Sequence, residues 1–196
     1  SILIGPGIGR HPATLRWVSA LMTRMAGKQK WILDADALFA VAVSPPPWWG
    51  RPGGGARPMH DLAVTPHAGE MSKLIGRTRG WVERRCCSAA RGCAQKNGIT
   101  VVLKGSRTAI ASPSGAVYLN QTGNAALAKG ATGDVLAGLI CGLAAQGLST
   151  FDAARLAVYL HGRASEIAVA RGRDKRTFIA SDIFTYLDPA LHELSK

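Results

Sequence analysis

The chain has 196 residues, 47% of them hydrophobic, with 23 glycines and 10 prolines: enough apolar material for one domain with a buried core, and too much for a disordered chain. Its 24 Lys+Arg against 12 Asp+Glu give a formal net charge of +12, which favours phosphate-rich partners. The basic residues are scattered, though, and Arg84-Arg85 and Arg171-Gly172-Arg173 read as solvated helix faces rather than a specific nucleic-acid footprint.

No run reaches the roughly 20 uncharged apolar residues of a membrane span. The longest, Val135 to Ala145, is interrupted by Gly138 and Gly142. The opening Ser1-Ile2-Leu3-Ile4-Gly5 lacks a secretory pattern, and its abruptness equally suits a chain whose leader or upstream domain lies outside it. Cys86, Cys87, Cys93 and Cys141 lack the spacing of a zinc site, so reduced thiols in a cytoplasmic protein are expected.

In chain order, short β-like runs alternate with longer helical ones, which predicts a mostly parallel sheet flanked by helices. Ser1 to Ile4 is a strand ending in the turn Gly5-Pro6-Gly7-Ile8-Gly9. A helix follows with Leu15, Val18, Leu21, Met22 and Met25 on its apolar face. Trp31-Ile32-Leu33 is the next strand and runs into Asp34-Ala35-Asp36-Ala37-Leu38. Residues 44 to 58 hold three consecutive prolines, two tryptophans and Gly53-Gly54-Gly55, a loop that holds no regular structure.

Leu62-Ala63-Val64 reads as a buried strand broken by Thr65-Pro66-His67, and one helix spans the 80s and 90s to a C-cap at Asn97-Gly98. Ile99 to Leu103 is a buried strand ending at Lys104-Gly105. Thr108 to Ala111 and Ala116 to Leu119, around Ser112-Pro113-Ser114-Gly115, form a hairpin. After Gly123-Asn124 come a glycine-rich loop and a helix apolar all round, expected to be buried on every side. Helical segments from Thr150 onward complete the chain, without internal repeats.

Gly130-Ala131-Thr132-Gly133-Asp134 carries the most chemistry. A glycine-rich turn opening a helix offers unpaired N–H groups and the positive end of the helix dipole, a setting for phosphate. It is not a Walker A loop. Asp134 there is either a cap at the helix start or a base that deprotonates a hydroxyl beside a phosphate, and the pattern alone leaves both open. Lys129 reads as exposed. Lys104-Gly105-Ser106-Arg107-Thr108, at the carboxyl end of a strand, is either a nucleotide contact or an ordinary turn. His67 suits a base, a ligand contact or a helix cap, and Glu70 a structural role. Asp34 and Asp36 suit water-mediated Mg²⁺ binding or helix capping. Each segment follows an apolar strand, so one shared crevice is expected.

Taken together, Ile4-Gly5-Pro6-Gly7-Ile8-Gly9, Leu33-Asp34-Ala35-Asp36-Ala37-Leu38, Val64-Thr65-Pro66-His67-Ala68-Gly69-Glu70, Val102-Leu103-Lys104-Gly105 and the Gly123-Asn124 to Gly138 segment resemble the NAD(P)H-hydrate dehydratases, a branch of the ribokinase-like α/β fold. The resemblance implies that a hydroxyl on the damaged nicotinamide ring of NADHX or NADPHX is phosphorylated by ADP or ATP with Mg²⁺. Phosphate then leaves as the ring double bond re-forms. It makes Asp134 the catalytic base, and Gly7, His67 and Asp134 contacts to the hydrated dinucleotide. It assigns the nucleotide to Lys104, Gly105, Ser106, Arg107 and Thr108 together with Asn124, Gly130, Ala131, Thr132 and Gly133. The bacterial members that share the Thr-Pro-His-x-Gly-Glu pattern generally use ADP, and the choice between ADP and ATP stays open. The metal ligands are left unassigned.

Two departures stand out. A glycine is usual where this chain has Ala131, whose methyl group distorts the anion site unless φ is negative, and a Pro-Gly-Met-like stretch is usual at Ala125-Ala126-Leu127. Members also begin well before the Gly-Pro-Gly turn. Residues 1–196 are therefore expected to form a single dehydratase domain lacking its N-terminal part, with an exposed sheet edge that favours homo-oligomers and with weak or no activity alone. An epimerase for the same damaged cofactor is compatible upstream. Two other readings compete: a ribokinase-like kinase of a small alcohol, which releases a stable phosphorylated product, and a non-catalytic polyanion-binding module, whose affinity falls steeply with salt.

Overall fold

The structure is a computed structural model describing residues 1–25, 27–43 and 61–195; the Pro/Trp/Gly loop at 44–58 lies outside the described residues. Among the described residues, six strands form one sheet in sequence order: β1 (Ile2–Ile4), β2 (Trp31–Leu33), β3 (Leu62–Val64), β4 (Thr100–Leu103), β5 (Ala109–Ala111) and β6 (Val117–Leu119). The first four are parallel, and β4, β5 and β6 pair antiparallel, so the expected hairpin closes one edge.

Helices α1 (Pro12–Arg24), α2 (Ala37–Val43), α3 (Ala68–Ile75), α4 (Arg79–Arg84) and α5 (Cys86–Asn97) lie along the connections between parallel strands. Right-handed crossovers that always step in one direction place their helices on one face. The opposite face is covered by α6 (Thr132–Ala145) and α7 (Thr150–Ala170), and α8 (Asp182–Leu194) packs on α7.

Side-chain alternation along the strands separates the two halves of the core. Trp31, Leu33, Leu62, Val64, Val101 and Leu103 join the helices of the first face, with Leu15, Val18 and Met22 of α1. Ile32, Ala63, Val102 and Ile110 point the other way, onto Leu136, Ile140, Ala154 and Ala157. The β-branched runs read from the sequence are thus buried on both sides, as parallel strands are.

Two expectations change. The helix predicted over the 80s and 90s is two, α4 and α5, because Arg85 leaves helical geometry at φ −128°, ψ 40° between them. The all-apolar α6 is not enclosed on every side: Gly138 and Gly142 are exposed, while Leu136, Ala137 and Ile140 are buried against the sheet and α7. Two layers contact a helix along part of its circumference only, and small residues occupy the remainder.

Candidate active site

The carboxyl ends of β1 to β4 and the N-terminus of α6 meet on one edge of the sheet. After β1 the Gly5 turn lies directly on the backbone that follows β2. At φ +144°, a Cβ on Gly5 would stand 1.7 Å from the Asp34 carbonyl oxygen, so only glycine allows this approach. Gly7 sits further out, exposed, at φ +72° with open space around it.

The acids after β2 are both engaged. Asp36 accepts from the Arg10 Nε at 2.6 Å and the Gly9 amide at 3.2 Å, which pins the glycine turn. Asp34, only 1% exposed, accepts from the Thr65 hydroxyl and from Lys104 Nζ, both at 2.6 Å. Neither carboxylate caps the following helix. A buried carboxylate needs such partners to stay charged, so Lys104 and Asp34 form one floor across β2, β3 and β4.

His67 ends β3 and starts α3. Its Nδ1 accepts from the amides of Gly69 (3.0 Å) and Glu70 (3.2 Å), while Glu70 Oε2 accepts from the His67 amide at 2.8 Å, a reciprocal capping box. Of the three roles open to His67, capping is thus realised. With Nδ1 accepting, any donated proton is on Nε2, which lies 3.5 Å from Glu70 Oε1, and the imidazole stays exposed beside the crevice. The Lys104 amide donates to the Pro66 carbonyl at 2.8 Å, and His67 bridges Lys104, so these two residues lie side by side. Gly105, Ser106 and Arg107 form an exposed turn beyond them.

The anion loop is built differently. Ala131 is the N-cap of α6 at φ +65°, left-handed, and no side chain caps this helix. The negative φ that would spare the anion site is therefore not adopted, at a local cost of roughly 1–2 kcal/mol for a residue with a Cβ. The first turn is nevertheless regular, since the amides of Asp134 and Val135 donate to the Ala131 carbonyl at 3.1 and 3.2 Å. It is held from below. The Thr132 hydroxyl is shared between the carbonyls of Leu127 (2.8 Å) and Lys129 (2.9 Å). The Thr132 carbonyl accepts from His161 Nε2 of α7 at 2.9 Å. Burial pushes the His161 imidazole down to about 4, so the ring is neutral at pH 7 and Nε2 carries the donated proton.

Asp134 is the third residue of α6, exposed, and its carboxylate makes no hydrogen bond or ion pair among the described residues. It is therefore not the helix cap, the structural alternative its position allowed. Lys104 Nζ reaches the same turn, 3.3 Å from where a Cβ of Gly133 would be. Asn124 is used within the fold: its Nδ2 donates to the Ser165 carbonyl at 3.0 Å and its Oδ1 accepts from the Ala126 amide at 2.9 Å. Lys129, read as exposed, is half-buried and donates to the Arg176 carbonyl. No group of three His, Cys, Asp or Glu among the described residues forms a metal cage.

Sequence reasoning missed Thr65 and His161. Both act across the fold, on Asp34 and on Thr132, and only His161 had a local sign, a polar residue within an apolar helical stretch.

A sheet whose strand ends carry a cation, beside an uncapped glycine-rich helix start with a free acid, is the arrangement of the ribokinase-like class. A ribokinase-like superfamily protein of Enterococcus faecalis superposes with a TM-score of 0.73 at 26% identity, covering 96% of this chain and 63% of that one.

Within that class, the family model described as NAD(P)H-hydrate dehydratase matches residues 1–187, and the chain belongs to this family. It is 40% identical over 195 residues to a bifunctional NAD(P)H-hydrate repair enzyme of Moorella thermoacetica, covering 100% of this chain and 35% of that protein. The structure of an ADP/ATP-dependent NAD(P)H-hydrate dehydratase from Bacillus subtilis, co-crystallised with ATP/Mg²⁺, superposes with a TM-score of 0.81 at 31% identity, covering 98% of this chain and 64% of that one. The chain thus spans about a third of the length of the bifunctional relative.

Proposed function

We propose that this crevice carries out nucleotide-dependent dehydration of NADHX and NADPHX to NADH and NADPH. The observation that carries the reading is the Asp134 carboxylate, exposed and unpartnered in the uncapped first turn of α6. A carboxylate left free there suits a base for a substrate hydroxyl, beside amides aimed at a phosphoryl group.

In this reaction Asp134 takes the hydroxyl proton as the oxygen attacks the terminal phosphorus of ADP or ATP. The new O–P bond forms as the bond to the leaving nucleotide breaks. The ring C–O bond then breaks, phosphate departs with its electrons, and loss of a neighbouring C–H proton restores the ring double bond. The amides of Ala131, Thr132 and Gly133 face the transferring group, and Lys104, with the turn through Gly105, Ser106, Arg107 and Thr108, meets the nucleotide phosphates. Gly7 leaves room for the dinucleotide, and the exposed His67 ring lies at the rim, its Nε2 3.5 Å from Glu70 Oε1. Asn124 supports this loop through its bonds to Ala126 and Ser165.

Mg²⁺ would supply charge neutralisation on the phosphates. Asp34 and Asp36 are committed to Lys104, Thr65, Arg10 and Gly9, so the ion fits as one held by phosphate oxygens and water, with Asp134 the free acid nearest the transfer. ADP is the expected donor. A cytoplasmic setting, homo-oligomers and an epimerase acting on the same damaged cofactor complete the reading.

The test is recovery of absorbance at 340 nm when the chain meets hydrated NADH, Mg²⁺ and ADP or ATP, with Asp134→Asn beside it. Recovery that falls at least ~100-fold in Asp134→Asn is expected for loss of a general base. A folded chain that binds nucleotide yet gives a stable phosphorylated alcohol would establish the kinase instead.

A further inference from the structure

Away from the crevice, α3, α4 and α5 line an open cavity of about 210 Å³, with Arg77, Gly92 and Lys96 exposed at its mouth. It borders the far end of α3, about 12 Å of helix from His67 at 1.5 Å per residue. Its lining falls into three chemical parts. Leu74, Ile75 and the ring of Trp81 form an apolar wall. Ala89, Gly92 and Cys93 form a floor of small side chains, and the Cys93 thiol, pushed up to about 11 by burial, is uncharged at neutral pH. Arg77 and Lys96 supply two cations on the border.

Neither cation has a carboxylate partner among the described residues, whereas Arg79 next to them is paired with Glu83. Arg77 and Arg85 both lie over the Trp81 ring, 5.3 and 5.7 Å from its centroid. Asn97, a further lining residue, leaves its buried Oδ1 without a donor among the described residues. A flat apolar wall beside two uncompensated cations selects a flat apolar ligand with a negative charge. The size agrees, because a cavity of roughly 150 Å³ already admits benzene. The planar fork of an arginine matches a carboxylate better than a spherical anion.

We infer that the cavity between α3, α4 and α5 binds a small aromatic carboxylate, at a site separate from the crevice. The ring packs between Leu74, Ile75 and the Gly92 floor, and the carboxylate meets Arg77 and Lys96. Binding here is independent of the dehydratase reading.

The probe is 4-fluorobenzoate, followed by ¹⁹F NMR line broadening on the whole chain, with 4-fluorobenzamide as the neutral counterpart. A dissociation constant on the order of 1 mM is expected for so few atoms. The amide should bind at least tenfold more weakly, and Arg77→Gln should weaken the carboxylate at least fivefold. Gly92→Leu keeps both charges and fills the floor, where a Cβ meets nothing within 4 Å, so it should abolish binding while the helix stays folded by circular dichroism. Equal binding of the amide, affinity unchanged within twofold in Arg77→Gln or Gly92→Leu, or displacement of the probe by ADP would each overturn the assignment.

Discussion

Two helices begin beside the crevice, and their first turns are finished in opposite ways. At α3, His67 and Glu70 satisfy each other's backbone reciprocally, and Gly76 closes the far end in a left-handed conformation. At α6, Ala131 is left-handed, no side chain caps the turn, and the acid three residues on points to solvent. Helix-start amides are satisfied by side chains, water or ligand. One start is complete within the protein and the other is left for an anion. The residues supporting the open start, Thr132 and His161, hold its carbonyls and leave its amides free.

The contrast can be broken at its centre. Lys104 touches both starts, and Lys104→Met leaves Asp34 buried with only the Thr65 hydroxyl. Removing one partner of a buried pair costs about 3–5 kcal/mol, so urea denaturation should show a loss in that range; under 1 kcal/mol would mean that the Lys104–Asp34 pair does not hold the fold.

Next is acid. His161 has a folded pKa of about 4 against an ordinary 6.5, so the unfolded chain takes up its proton first as pH falls. Its contribution is complete above pH 6.5 and is lost between 6.5 and about 4, on the order of 3 kcal/mol in all. His161→Gln should flatten the stability-versus-pH curve in that window, and an unchanged slope would remove His161 as the titrating group.

A smaller effect separates the two starts directly. His67→Ala should cost about 1 kcal/mol through the lost cap, whereas Asp134→Asn should change thermal stability by less than about 0.5 kcal/mol. Equal losses would erase the distinction. The smallest effect is a gain: Ala131→Gly relieves the left-handed strain but loosens the unfolded chain, for a net stabilisation of about 0.5 kcal/mol. A loss instead would show that the Ala131 methyl group packs favourably.

The local rules were sufficient for the strands and for the hairpin. Runs such as Val101-Val102-Leu103 are buried on both faces, and that needs only consecutive apolar residues in sequence. The break at Arg85 was not legible, because arginine is a good helix former and the two segments differ only in backbone direction. The candidate residues were readable as a set at strand ends, yet their individual roles were not. Asp34 and Asp36 look alike in sequence, but one is buried on Lys104 and the other holds Arg10 and the Gly9 amide. Their contacts join segments dozens of residues apart.

By itself, then, the sequence determined the alternating α/β architecture, the glycine turn that lets β1 approach Asp34, and the helix start that carries Asp134. These follow from periodicity and from backbone freedom, which neighbouring residues encode. Only the tertiary structure decided which charges are spent and which remain free. Hydrogen bonding and desolvation depend on who is adjacent in space, and here that separates a capped His67 and a paired Asp34 from an open Asp134.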